Sequence, residues 1–136
     1  MRILGIDPGE RRFGIAVSDP LAITAQGLET FDAKKSRVGF VDHVRNLVER
    51  YGVEEIVVGN PVGLSGKETA SSAKASALAR DLRESLAVRV TLWDERLSSR
   101  EAGRVLRGER AGKAAVDKLA AVIILQSYLD YRRRSE

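Results

Sequence analysis

The stretch Met1-Arg-Ile-Leu-Gly-Ile-Asp-Pro-Gly9 constrains this chain most. Ile3 to Ile6 is a short, almost uninterrupted apolar run, the pattern of a strand buried on both faces. It ends at Asp7, and Pro8-Gly9 then forces a turn, because proline presets φ and glycine accepts either sign. A carboxylate therefore sits on a rigid mount at the end of a central strand, which is what metal-assisted chemistry needs. Taken alone, Asp7 reads equally well as the opener of a turn.

Beyond the turn, Phe13, Ile15 and Val17 alternate with Gly14, Ala16 and Ser18, and this period of two predicts a second strand, hairpin-paired to the first. Asp19-Pro20 ends it, and a weaker extended signal runs from Ile23 to Phe31. Ser36 to Tyr51 changes to helical spacing, with Phe40, Val44, Leu47, Val48 and Tyr51 on one face and Gly52 as its stop. Glu55 to Val58 reads as another buried strand with a sharp exit at Gly59-Asn60-Pro61, followed by a loop over 62–67. Ala70 to Leu86 predicts an Ala-rich helix with Ala75, Leu78, Leu82 and Leu86 inward. Val88, Val90 and Leu92 make a fifth strand that ends at Trp93-Asp94-Glu95. A short helix is expected over 98–107, where Ser98 and Glu101 have capping-box spacing. The longest helix is expected over 115–132, with Leu119, Val122, Ile123, Gln126 and Leu129 along one side. This order predicts an α/β fold, a mixed five-stranded sheet flanked by helices, in one domain spanning 1–136.

What the chain lacks narrows its chemistry. It has no cysteine, which excludes disulfides, thiolate zinc sites and cysteine nucleophiles; His43 is the only histidine, which rules out His-rich metal sites and argues against a Ser-His-Asp triad. Carboxylates remain, and topology sorts them. Sites in α/β sheets form beyond the carboxyl ends of parallel strands. If strands one, four and five run parallel, that edge receives Asp7, Asn60 and Asp94-Glu95. Asp19 falls at the opposite edge, and Glu54 and Glu55 precede their strand. Asp117 joins the edge if the last helix packs across it, although an acid in a first helical turn is favourable without any ligand. Asp94-Glu95 reads equally as a polar strand exit. Carboxylates without histidine or cysteine suit hard cations such as Mg²⁺ or Mn²⁺.

The formal charge of +4 and the pI of about 9.7 favour a polyanionic partner. One Trp, three Tyr and three Phe leave little for base stacking, so backbone charge would dominate nucleic-acid binding. Between Arg96 and Lys118 there are seven Lys or Arg and three acids. Arg100, Arg104 and Arg107 fall at i, i+4 and i+7, a stripe that reads as a solvated helix face or as a phosphate track. There is no signal-like N-terminal segment and no apolar run approaching ~18 residues, so the expectation is a soluble cytoplasmic protein without a membrane partner.

Four segments in order resemble the YqgF family, RuvC-like members of the RNase H-like superfamily described as Holliday junction resolvase-like proteins or pre-16S rRNA nucleases. They are Gly5-Ile-Asp-Pro-Gly9 with Arg12 and Gly14 to Asp19; Val57-Val-Gly-Asn-Pro61 with Gly66; Asp94-Glu-Arg-Leu-Ser98; and Val116-Asp-Lys-Leu-Ala-Ala121 with Leu125-Gln126 and Tyr128-Leu129. The resemblance implies an RNase H-like fold and metal-dependent phosphodiester hydrolysis, with Asp7, Glu95 and Asp117 as catalytic residues. It also implies maturation of the 5′ end of 16S rRNA and, in some members, cleavage of branched DNA. In the resulting scheme the three acids hold Mg²⁺ or Mn²⁺, while Arg12, Arg96 and Lys113, with the stripe Arg100, Arg104 and Arg107, meet substrate phosphates. Compared with RuvC-type resolvases, Asn60 stands where the fourth strand would supply an acid, and Ala114 and Ala120 offer no substitute; Glu95 would replace it from the neighbouring strand. A homodimer would suit a two-fold junction, although no stretch marks an interface.

Two other readings compete. The opening also resembles the phosphate-binding turn of actin-like and sugar-kinase folds, but those need a second lobe for which 136 residues leave no room. Residues 61–68, Pro-Val-Gly-Leu-Ser-Gly-Lys-Glu, miss a P-loop at both ends. The absent fourth acid leaves open a non-catalytic RNA-binding module for ribosome assembly.

Overall fold

Strand β1 (Arg2–Asp7) lies at the centre of the sheet, as its apolar run requires. The computed structural model describes residues 1–61, 69–95 and 113–135, the side chains of 113–117 excepted. β1 pairs antiparallel with β2 (Arg12–Ser18), which pairs antiparallel with β3 (Ala25–Asp32). On its other side β1 pairs parallel with β4 (Val53–Asn60), and β4 pairs parallel with β5 (Arg89–Asp94). The sheet order is β3-β2-β1-β4-β5. The expected mixed five-stranded sheet is therefore present. The helices among the described residues are α1 (Phe40–Tyr51), α2 (Ala70–Ser85) and α3 (Lys113–Ser135). The helix expected over 98–107 and the loop over 62–67 lie outside the described residues.

Alternation along the strands divides the core in two. Leu4, Ile6, Ile15, Val17, Ile56, Val58 and Val90 face α1 and α2, meeting Val44, Leu47, Ala75, Ala79 and Leu82. Ile3, Ala16, Val57 and Trp93 face α3, meeting Ala121, Ile124, Leu125, Tyr128 and Leu129. α1 begins at Phe40 rather than Ser36, because Gly39 in an extended conformation is its N-cap; Gly52, left-handed at φ 63°, ends it as expected.

Two expectations need correction. The inward side of α3 is Ala121, Ile124, Leu125, Tyr128 and Leu129; Leu119, Val122, Ile123 and Gln126 are half-buried. Leu119 to Leu125 is apolar at every position, so periodicity there cannot fix the phase of the helix. Glu55 does not precede its strand. Like Glu54, it lies within β4; Glu55 is 2% exposed and accepts hydrogen bonds from Thr91 Oγ1 at 3.0 Å and from the Tyr128 hydroxyl. That pairing satisfies a buried carboxylate and ties α3 to β4 and β5. Burial, reinforced by Glu55, pushes the Tyr128 phenol above its ordinary pKa, so it stays a donor.

Helix α3 comes close to the sheet over a row of small residues. Gly5 is paired with Ala16, and Ala16 with Gly27. A Cβ on Gly5 would stand 2.7 Å from Leu125 Cβ, well inside contact distance. Leu125 Cβ is fixed to the helix and cannot swing away. Gly5→Ala should therefore destabilise the protein by about 1–3 kcal/mol, the usual cost of overpacking. Urea denaturation should show a lower midpoint with an unchanged slope.

Candidate active site at the carboxyl edge of the sheet

The edge formed by the carboxyl ends of β1, β4 and β5 also receives the carboxyl end of β3, which runs in the direction of β1. Asp7 closes β1 there. Pleating places it on the α3 face, two residues beyond Gly5. Its partner in β2 is Gly14. In β4 the Ile6–Val58 pair is the last before Gly59, so glycine stands on both sides of Asp7. Neither neighbouring strand puts a Cβ beside the Asp7 carboxylate, which leaves the space of a missing side chain on the β4 side.

Glu95 uses that space. It follows β5 directly, on the same face as Trp93 in the α3 core by alternation. Its side chain lies back across β4: a Cβ on Gly59 would meet Glu95 Oε1 at 2.9 Å, Glu95 Cγ at 3.4 Å and Ile124 Cδ1 at 2.6 Å. Glu95 thereby reaches Asp7, and the two carboxyl groups share a hydrogen bond. Such a bond needs a proton on one of them. Burial pushes the Glu95 carboxyl above its ordinary range; the bond with Asp7 pulls it partly back, and the charge of Asp94 raises it again.

The other expected residues divide as follows. Asn60 and Asp94 are a paired couple at the ends of β4 and β5, on the opposite face from Asp7 by pleating. Asn60 Oδ1 is buried and accepts no hydrogen bond among the described residues. Arg12 begins β2 two residues before Gly14, on the Asp7 face, with its Nε 4.0 Å from Asp32. Asp117 and Lys113 lie in the first turns of α3, Asp117 one turn before Ala121, whose carbonyl approaches Gly5; their side chains are outside the described residues. Arg96, Arg100, Arg104 and Arg107 are also outside them. Among the described residues, no three His, Cys, Asp or Glu side chains form a group that could hold a metal.

Sequence reasoning missed Asp32, Lys34 and Lys35 at this edge. The signal was present: a third strand antiparallel to the second must return to the carboxyl edge of the first. Asp19, by contrast, is a turn residue at the far edge, accepting from the backbone N–H groups of Ile23 and Thr24 at 2.7 and 2.8 Å.

The raised Glu95 has a consequence for stability. In the unfolded chain it titrates in its ordinary range; in the folded protein it titrates higher. Stability therefore falls as pH rises from the unfolded to the folded value, and the loss persists above it. With a chelator present, Glu95→Gln should melt at a higher temperature than the parent protein at neutral pH. The difference should shrink towards zero below about pH 4, where the parent carboxyl is protonated in both states.

Comparison with known proteins places this geometry in context. The family model described as "RuvX: Holliday junction resolvase" matches residues 1–131. A Koribacter versatilis protein named "Putative pre-16S rRNA nuclease" is 47% identical over 136 residues, covering 96% of this chain and 88% of its own length. A Bacillus cytotoxicus protein of the same name is 45% identical over 135 residues, covering 96% and 98%. Among solved structures, Thermus thermophilus RuvC in complex with a Holliday junction substrate superposes with a TM-score of 0.70 at 18% identity, over 99% of this chain and 96% of that one. Thermus thermophilus RuvC in another structure gives 0.58 at 19% identity, over 99% and 97%. The structural likeness establishes the RNase H-like fold. With the family match across nearly all of its length and relatives above 40% identity, the chain belongs to the RuvX family.

Proposed function

We propose that this protein is a metal-dependent nuclease that hydrolyses phosphodiester bonds in one catalytic domain, and that its task is maturation of the 5′ end of pre-16S rRNA. The observation that carries the reading is the Asp7–Glu95 carboxyl pair, half-buried over Gly59 at the carboxyl edge of the sheet. The names of the curated relatives supply the substrate. The residues fit a hard divalent cation: the pair offers only oxygen donors, and burial has already made its full ionisation costly without a counter-charge. Asp7 and Glu95 would hold Mg²⁺ or Mn²⁺, with Asp117 completing the set from α3. A divalent cation bound there supplies Lewis acidity, lowering the pKa of water and neutralising charge on the phosphate.

The chain's own residues do the rest. Asp7 is fixed by the central strand, so its oxygens hold one position through the reaction. Glu95 and Asp7 must both be ionised to take a cation, so the proton between them leaves on binding, and metal affinity rises with pH. Arg12, on the Asp7 face, offers a planar fork to a phosphate. Gly59 is a positioning residue: its missing side chain is the space through which Glu95 crosses β4.

A Holliday junction is the second substrate to test, because the family description names its resolution. A pre-16S 5′ leader and a four-way junction should be offered side by side with Mg²⁺ or Mn²⁺. Faster cleavage of the leader is expected; faster cleavage of the junction reverses the assignment, and cleavage of neither leaves the non-catalytic RNA-binding module. Asp7→Asn and Glu95→Gln should each lower kcat/KM by about 100-fold or more, roughly 2.7 kcal/mol of transition-state stabilisation. Undiminished cleavage by Asp7→Asn at saturating Mn²⁺ would contradict the scheme.

Gly59→Ala probes the crossing. The atoms its Cβ would meet are the free ends of Glu95 and Ile124, which can give way, so folding should survive. The displaced Glu95 should still cost on the order of 100-fold in kcat, as misplacement by about 1 Å can. Circular dichroism unchanged from the parent, beside that loss, is the expected result.

A further inference from the structure

We infer that the turn after β3 forms, with Arg12, a basic ledge that binds the phosphate backbone of the nucleic-acid strand on the β3 side of Asp7. This rests on the nuclease reading for its substrate class but names a different surface. Residues 10–12 and 32–37 carry five cations, Arg11, Arg12, Lys34, Lys35 and Arg37, against two acids, Glu10 and Asp32. The two segments form one structure: Ala33 N–H donates to the Arg11 carbonyl at 2.8 Å, and Arg12 is paired with Asp32.

Asp32 builds the ledge. Its Oδ1 accepts from Arg11 Nε and from the Lys34 backbone N–H, each at 3.0 Å. Its carbonyl accepts from the N–H groups of Lys35 and Ser36, both at 3.1 Å. Ser36 Oγ then donates to the Val38 carbonyl at 2.9 Å. The hydrogen bond from Arg11 holds the Asp32 carboxyl below its ordinary range, so this scaffold persists in acid. One carboxylate thus absorbs Arg11 and folds the turn, while Lys34, Lys35 and Arg37 stay exposed and make no ion pair found among the described residues. Glu10, the other acid, pairs with Lys74 at 3.0 Å.

Position ties the ledge to the site. β3 ends at the same sheet edge as Asp7, two strands away, about 10 Å at the usual spacing. That is roughly three nucleotides of a stacked strand at ~3.4 Å each. A strand with its scissile phosphate at Asp7 would carry its next phosphates over Arg12 and the turn. Lysines at such a place act as point charges on the backbone and read no bases.

The test is the salt dependence of binding by the Asp7→Asn protein, which separates it from cleavage. The probes are a short single-stranded RNA and a four-way DNA junction. Adding Lys34→Ala and Lys35→Ala should flatten the plot of log Kobs against log salt by about 1.4 for the RNA and about 1.8 for duplex arms, the loss of two phosphate contacts. Arg89→Ala, an exposed cation at the opposite edge of the sheet, should leave the slope unchanged. An unchanged slope in the lysine variant, an equal loss in Arg89→Ala, or no binding by the Asp7→Asn parent would each overturn the ledge. Cleavage by the parent protein with an unchanged lysine slope removes the ledge alone. A lysine-dependent slope in a protein that cleaves neither substrate removes the nuclease reading and keeps the ledge.

Discussion

Helix α3 lies against a row of the sheet that carries almost no side chain. Gly27, Ala16 and Gly5, neighbours across three strands, let the helix approach until Leu125 Cβ is within contact of the β1 backbone and the stem of Lys118 covers Gly27. Larger residues on that row would lift the helix off the sheet. The consequence extends past packing, because α3 carries Asp117 in its first turns and Ile124 against Gly59. The depth at which the helix sits sets the height of everything it presents at the carboxyl edge. Tyr128 fixes the other end, where its hydroxyl donates to the buried Glu55 and its ring meets Trp93 edge-on at 5.2 Å. A small-residue row sets the helix's depth and a buried hydrogen bond sets its register.

The same device recurs two residues further along the strands. Gly14 and Gly59 flank Asp7 as Ala16 and Val57 flank Gly5. There the space accommodates a side chain instead of a helix. Glu95 directly follows β5, which is not adjacent to β1, and its path to Asp7 crosses β4 where Gly59 contributes no Cβ. Burial is what shows in the raised Glu95 carboxyl: desolvation lifts it, the hydrogen bond with Asp7 pulls it partly back, and the charge of Asp94 raises it again.

Much of this was legible in the chain. The run Ile3 to Ile6 and its exit at Asp7-Pro8 identified the central strand, and alternation in Phe13 to Ser18 identified the hairpin. Once the strands were ordered, the carboxyl-end rule brought Asp7, Asn60 and Asp94-Glu95 to one edge and discarded Asp19; the choice of Glu95 among them came from the family resemblance. The phase of α3 was not legible, because an apolar residue at every position from Leu119 to Leu125 gives a helix no preferred face. Glu55 was misread as lying outside its strand because a charged residue in a buried strand defies the hydrophobic pattern unless its partners are known. Tyr128, its partner, lies 73 positions away. The crossing of Glu95 over Gly59 was likewise hidden. A lone glycine in a strand signals close approach, but the sequence does not say of what.

Charge at the carboxyl edge is divided, with acids at the ends of β1 and β5 and cations in the turn after β3. The carboxyl pair repels a phosphate on its own, and a cation held there cancels that repulsion only locally, since the field of a strand extends over several nucleotides. In the proposed complex, cations holding the neighbouring phosphates would have to stand off from the acids, or they would be neutralised by them. β2 and β3 achieve this spacing. Asp32 is the one acid among the cations at the end of β3, and it is occupied by Arg11 and by the backbone of the turn. The lysines beyond it are left exposed because the available carboxylate has already been used to fold the loop that carries them.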